Sequence, residues 1–268
     1  MLLINKLQKK YLSRTSETTR KDTLHTTTIN QWLAGFLEGD GHFNLGRVTI
    51  IINQTDITVF KYIRKMFNCG TMTGPYYNYK TVNGEKEISC TYYRFIISGE
   101  QAVGFIINSL NGKILLDHTY LKFEQFVGAY NVKYPNNTIE CLPKASAQDL
   151  INWDSAWLSG FVDAEGCFNI QTKLKHRFIV DQANEEAVLR EIISLFTGTV
   201  TARTKSESNI NSPKTHYRYV CQNQAGILSV IKYMDKYNLH SSKWRDYLKW
   251  KNSFQAKLPL VEDQKYKI

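Results

Sequence analysis

Residues 32–44 read Trp-Leu-Ala-Gly-Phe-Leu-Glu-Gly-Asp-Gly-His-Phe-Asn, and residues 157–169 read Trp-Leu-Ser-Gly-Phe-Val-Asp-Ala-Glu-Gly-Cys-Phe-Asn. Seven of the thirteen positions are identical, where random matching at about 6% per position would give roughly one. Chance does not account for this, so the chain contains an internal repeat. The correspondence runs on in the same order. Asn53-Gln54 is echoed by Asp181-Gln182, and an amphipathic helical pattern follows each. Val59, Phe60, Ile63, Met66 and Phe67 share one helical face in the first copy; Val188, Leu189, Ile192, Ile193 and Phe196 do so in the second. Both patterns stop before a glycine, Gly70 or Gly198, and Tyr93-Arg94-Phe95 then matches Tyr217-Arg218-Tyr219.

Each half therefore reads as a helix, two strands, a helix, two strands and a helix, with a last helix near 119–130 and 242–254. The expected fold class is α+β: two pseudo-symmetric αββαββα halves whose antiparallel sheets form a saddle. The boundaries follow from composition. Residues 1–28 are polar and basic, without the apolar core of a signal peptide, and read as a flexible tail. The first half is 29–134. Residues 135–148, with prolines at 135 and 143 and asparagines at 136 and 137, read as a linker. The second half is 149–256, and 257–268 form a C-terminal tail.

The opening helix of each half breaks ordinary propensity rules. Gly35 and Gly160 fall in helix interiors, where glycine costs about 1 kcal/mol relative to alanine. A cost repeated at equivalent positions points to a helix–helix contact in which two backbones approach closely. If the helices pack in the same direction, Asp40 and Glu165 meet at adjacent C-terminal ends. Two carboxylates beside two negative helix termini need compensation, which a hard divalent cation with oxygen ligands provides; Mg²⁺ is the natural choice.

Composition narrows the partners. Among 268 residues, 34 are Lys or Arg and 24 are Asp or Glu, a formal charge of +10. This excess favours a polyanion, because neutralising phosphates releases condensed counterions. There is no run of about 18 apolar residues, the length a membrane helix requires, so no membrane partner is expected. Cys69, Cys90, Cys141, Cys167 and Cys221 lie far apart, with no zinc spacing and an odd count.

Residues 33–41 and 158–166 resemble the two motifs of a monomeric LAGLIDADG homing endonuclease, and the similarity extends over roughly residues 30–254. The resemblance implies a metal-dependent enzyme that binds a long duplex DNA target and hydrolyses both strands, acting as a monomer. It makes Asp40 and Glu165 the metal-binding acids, with the carbonyls of Gly39 and Ala164 as further ligands, and Glu38 and Asp163 structural. It implies that Gln54 and Gln182 orient water, and that a lysine near each site helps organise it. Lys243 fits that role in the second half. In the first half Thr119 or His118 occupies the aligned position, and Lys113, slightly upstream, is the substitute. The resemblance, with the many Lys, Asn, Ile and Tyr residues, also implies an intron-encoded protein of an A/T-rich organellar genome, the mitochondrion favoured and the chloroplast the alternative. Two other activities stand open on the same fold: an intron RNA maturase, for which intron RNA is a further partner, and a DNA-binding protein that does not cut.

A reading surface is visible from Phe168 onward. Asn169, Gln171, Lys173, Lys175 and Arg177 alternate with Phe168, Ile170, Thr172 and Leu174, the period-two pattern of a strand with one polar face. Amides and guanidiniums on such a face suit base edges in the major groove, and lysines suit phosphates. Asn44, Arg47, Arg94, Arg203, Lys205 and Arg218 join the DNA-binding candidates by position in the repeat. The cluster Tyr76, Tyr77, Tyr79 either contacts DNA or packs a hairpin.

Overall fold

No glycine or proline interrupts residues 16–34, and in the computed structural model they form one continuous helix with the first motif, α1 (Ser16–Asp40). This helix starts inside the stretch read from sequence as a flexible tail. Its Ser and Thr residues are modest helix formers, but a helix nucleated by a packed segment propagates at little cost until something breaks it. The structure describes residues 16–82, 84–203 and 215–257.

After α1 come β1 (Gly41–Asn44), β2 (Thr49–Gln54), α2 (Thr58–Phe67), β3 (Thr71–Val82), β4 (Glu85–Ile97), α3 (Glu100–Leu110) and α4 (Asp117–Lys133). A short helix, α5 (Ala147–Leu150), precedes the second copy: α6 (Trp157–Glu165), β5 (Gly166–Gln171), β6 (Lys175–Ala183), α7 (Glu186–Phe196), β7 (Thr199–Arg203), β8 (His216–Cys221), α8 (Gln224–Lys236) and α9 (Lys243–Gln255). Among the described residues the strands form two four-stranded antiparallel sheets, ordered β1-β2-β4-β3 and β5-β6-β8-β7. The same order twice is the α+β duplication expected from the repeat.

Each sheet buries one face. In the first, Phe43, Ile50, Ile52, Phe95 and Ile97 are buried, and the ring of Phe43 lies 5.2 Å from Phe126 and 5.6 Å from Phe123 of α4. In the second, Phe178, Val180, Tyr219 and Cys221 are buried; Phe168 packs on Tyr247 and Trp250 of α9, and Phe178 on Phe196 of α7. Burying one such aromatic or aliphatic side chain contributes about 1.5–3 kcal/mol. On α7 the buried face takes Leu195 where the sequence pattern chose Ile193, which is half-buried.

The compact units do not follow the repeats. One runs through Thr55 and resumes over Ile63–Ala164; the other comprises Asp56–Tyr62 and the residues from Glu165 onward. The second motif helix thus belongs, up to Ala164, with the first half. The reason is the glycine pair. A Cβ on Gly35 would strike the main-chain carbonyl of Trp157 and come within 2.8 Å of the Phe161 nitrogen. A Cβ on Gly160 would strike the carbonyl of Trp32 and come within 2.8 Å of the Phe36 nitrogen. Only hydrogen fits on either side. The linker is likewise pinned to the first unit. Asn111 donates to the carbonyl of Glu140 and accepts from the Leu142 N–H, both at 2.7 Å, and Asn131 clasps Ile139 in the same way.

Replacing Gly35 or Gly160 by alanine should therefore lower unfolding free energy by about 3 kcal/mol, read from urea denaturation. Gly128→Ala, in α4 where an added Cβ meets nothing within 4 Å, is the control and should raise it by up to about 1 kcal/mol.

Candidate functional site

The two motif helices exchange hydrogen bonds as well as contacts. Trp32 Nε1 donates to Asp163 Oδ2 and Trp157 Nε1 donates to Glu38 Oε1, each at 2.8 Å. Each indole also stacks along its own helix, Trp32 on Phe36 and Trp157 on Phe161. Glu38 and Asp163 are 4% and 2% exposed, so both carboxylates are buried. Glu38 does more than accept an indole. Its two oxygens accept the main-chain N–H groups of Leu115 and Leu116, at 2.8 and 2.6 Å, on the approach to α4.

Asp40, the last residue of α1, is half-buried and accepts a hydrogen bond from Gln54 Nε2 at the end of β2. Strand register explains the meeting. Asp40 precedes Gly41, which pairs with Ile52, and Gln54 lies two residues further along the same face. The second repeat has the same arrangement: Glu165, half-buried, ends α6, the next residue Gly166 pairs with Val180, and Gln182 lies two residues on. Each acid stands five residues after its close-approach glycine. Gly39 and Ala164, the residues before the acids, are half-buried.

This donor set fits a hard cation. Asp40 brings a carboxylate, and the Gln54 amide, whose oxygen and nitrogen exchange by a flip, brings a neutral oxygen. Among the described residues no three His, Cys, Asp or Glu side chains gather as a complete metal cage. Mg²⁺ is typically held by one or two carboxylates while keeping water and phosphate oxygens as its other ligands.

The two lysines differ. Lys113 is half-buried, with Nζ donating to the Asn111 carbonyl at 3.3 Å, and burial pulls its pKa below the usual lysine value. Lys243 is the first residue of α9, half-buried, with its N–H donating to Ser241 Oγ at 3.2 Å. Nearby in the second unit, Tyr62 stacks on His240 with ring centroids 3.6 Å apart, and burial lowers the His240 pKa to about 4.

The surface read as one strand from 168 to 177 is a hairpin. β5 ends at Gln171, a 3₁₀ turn covers Thr172–Leu174, and β6 begins at Lys175. The turn has no glycine; Leu174 takes the left-handed conformation at φ 55°, so no residue type signalled it. Lys173 lies in this turn. The polar residues still converge, because Asn169 pairs with Arg177 and Gln171 with Lys175. Register continues that face to Arg218, paired with Asp181 and Thr201, and to Arg203, paired with His216. Arg177 carries a buried Nε–H without a hydrogen-bond partner. Lys205 lies outside the described residues. In the first sheet Asn44 and Arg94 share the face opposite Phe43 and Phe95. Exposed Arg47 sits in the β1–β2 turn, its N–H donating to Asn44 Oδ1.

The partners of these arginines lie outside what local sequence pattern reveals. Arg218 Nε donates to Asp181 Oδ1 at 2.6 Å, and this bond raises the arginine's pKa further. Its counterpart Arg94 donates to the neutral Asn53 Oδ1 at 3.1 Å and lies 4.9 Å over the Tyr76 ring, which stacks on Tyr92. Tyr76 thus packs within the sheet, while Tyr77 and Tyr79 are exposed. The signal was available as parity: Asn53 and Asp181 sit at the same place in the two repeats, one residue before each glutamine.

Residues 158–254 match the LAGLIDADG endonuclease family. Over 249 residues the chain is 26% identical to the probable intron-encoded endonuclease 4 of Neurospora crassa, spanning 88% of this chain and 41% of that protein. The chain is thus less than half as long as that relative. Over 146 residues it is 25% identical to the intron-encoded RNA maturase bI4 of Saccharomyces cerevisiae, covering 53% of this chain and 19% of that one. Its fold is that of the I-LtrWI LAGLIDADG homing endonuclease bound to target DNA: TM-score 0.55 and 15% identity over 87% of this chain and 90% of that one.

Two stability measurements follow. Glu38→Ala strands two main-chain donors and an indole in the interior and should cost roughly 3 kcal/mol in urea unfolding. His240 has a folded pKa of about 4 against 6.5 for the free side chain, so the unfolded state binds more protons between those values. Its contribution is fully present above about pH 6.5 and is lost as pH falls toward 4, on the order of 3 kcal/mol. Unfolding of His240→Phe should show a flatter pH dependence across that window.

Proposed function

We propose that the chain, whose residues 158–254 match the LAGLIDADG endonuclease family, is a site-specific homing endonuclease that binds a long duplex DNA target and hydrolyses both strands with the help of a divalent cation. The observation that carries this reading is the repeated placement of an acid at the end of a glycine-clasped helix with a strand-end glutamine two register positions away, made explicit by the Asp40–Gln54 hydrogen bond.

Asp40 and Glu165 would each supply a carboxylate for divalent-cation binding, with the main-chain carbonyls of Gly39 and Ala164 as additional oxygen ligands. Mg²⁺, when bound, supplies Lewis acidity toward the phosphodiester and lowers the pKa of a coordinated water. The chain's own residues do the positioning. Gln54 and Gln182 orient water through their side-chain amides. Lys243 and Lys113 place positive charge beside the hydrolytic water, and the lowered pKa of Lys113 brings it closer to a state that accepts a proton.

The sheet faces do the binding. Lys175, Arg203, Arg47 and Lys173 suit phosphates, while Gln171, Asn169, Arg177, Asn44, Arg94 and Arg218 suit base edges; Lys205 joins the first group by sequence. With both motifs in one chain, a monomer serves the two strands. The reading extends to an intron-encoded, organellar origin, with the mitochondrion favoured. A second reading, an intron RNA maturase, draws on the similarity to the yeast maturase.

Cleavage of a randomised duplex library in Mg²⁺, followed by sequencing of the cut ends, tests the proposal. A defined site with breaks in both strands is expected. Asp40→Asn and Glu165→Gln should each lower the rate on the order of a thousandfold, while binding to the selected duplex in Ca²⁺ stays within about threefold. Undiminished cutting by both variants would overturn the metal assignment. Binding to intron RNA with no cutting of any duplex would favour the maturase.

A further inference from the structure

Asp56 follows Gln54 by two residues in the first repeat, yet it lies with Asp56–Tyr62 in the second compact unit. Its carboxylate joins two helix starts. Oδ1 accepts from the Thr58 N–H at 3.1 Å and from Thr58 Oγ1 at 2.8 Å, at the beginning of α2. Oδ2 accepts from the Ser242 N–H at 2.8 Å, immediately before α9. Ser242 has φ −60° and ψ −21°, and its own side chain caps nothing. The negative charge that a helix N-terminus favours therefore reaches α9 from another element. Burial pushes the Asp56 pKa up, but the bonds from Thr58 and Ser242 outweigh it and hold the group below the usual carboxylate value. Tyr62, one turn along α2, provides a second hold by stacking on His240. Residues 240–242 are gripped at both ends, and the next residue is Lys243.

The repeat supplies a control. Asn184 stands where Asp56 does, two residues past Gln182. Its side chain accepts from the Thr215 N–H at 3.1 Å, and its own N–H donates to the Thr215 carbonyl at 2.8 Å. That contact stays within its own repeat. The position aligned with Lys243 in the first half carries Thr119 or His118 instead of lysine. The acid that reaches across the repeats is matched to the motif-aligned lysine.

We propose that Asp56 is a positioning residue through which the first repeat sets the placement of Lys243 in the second, making hydrolysis of one DNA strand depend on a carboxylate from the opposite repeat. This inference rests on the nuclease reading above. Asp56 acts by fixing the main chain one residue before the lysine.

The test uses the full chain and a supercoiled plasmid carrying the selected site. Asp56→Ala should slow cleavage of one strand by about tenfold, leave the other within about twofold, and let nicked circles accumulate. The slowed strand should be the one that Lys243→Ala slows most, and the double variant should be no slower than Lys243→Ala alone. Asp56→Asn, which keeps an acceptor, should lose less than Asp56→Ala. In parallel, amide exchange in a peptide spanning residues 240–247 should quicken by about tenfold in Asp56→Ala. Equal slowing of both strands, or slowing of the strand that Lys243→Ala spares, would overturn the proposal. If wild-type protein cuts no duplex, the nuclease reading fails by itself; unchanged exchange over 240–247 would then sink the Asp56 contact independently.

Discussion

Two helices touching backbone to backbone are the constraint on which the remaining structure depends. At Gly35 and Gly160 each helix presents only hydrogen to a carbonyl of the other. The glycines cost about 1 kcal/mol each in helix propensity, and what they permit offsets it: Trp32, Phe36, Trp157 and Phe161 bury almost completely around the contact. Once the backbones are this close, the polar groups nearby have no water. The two indoles and the two acids at position six of each motif answer one another across the interface. A buried carboxylate stripped of donors is far costlier than the net gain of an ordinary hydrogen bond, so the acids at both positions are held by the donors that answer them.

The same contact decides where the chemistry can sit. Beyond the buried acids, each helix has two residues left before its strand begins, and the second of these is Asp40 or Glu165. Both are half-buried, with part of the side chain exposed and part packed. The glutamines are set by strand parity, so acid and amide converge through register and need no dedicated loop.

The sheets repeat in order but differ in charge. Arg94 pairs with a neutral asparagine, whereas Arg218 is bound to Asp181. On a polyanion the first pair retains a full positive charge and the second is close to neutral, so the two faces differ in electrostatic pull and in how firmly the guanidinium is aimed. A duplicated fold thus presents two unlike surfaces.

Local pattern in the chain was enough for the duplication, the order of helices and strands, the interior glycines, and the acids at the motif ends. Each of these is written in residues within a few positions of one another, as spacing or as repetition. The tertiary structure alone decided which groups answer which. Leu174 turned an apparent single strand into a hairpin because a left-handed conformation was imposed on a residue type that does not advertise it. Glu38 found its donors at Leu115 and Leu116, Arg218 was claimed by Asp181, and Asp56 reached Ser242. Such pairings span dozens to nearly two hundred residues of chain, and their energies exist only after the backbone has closed those loops. Periodicity tells which face of an element is buried; only the folded chain tells what lies against it.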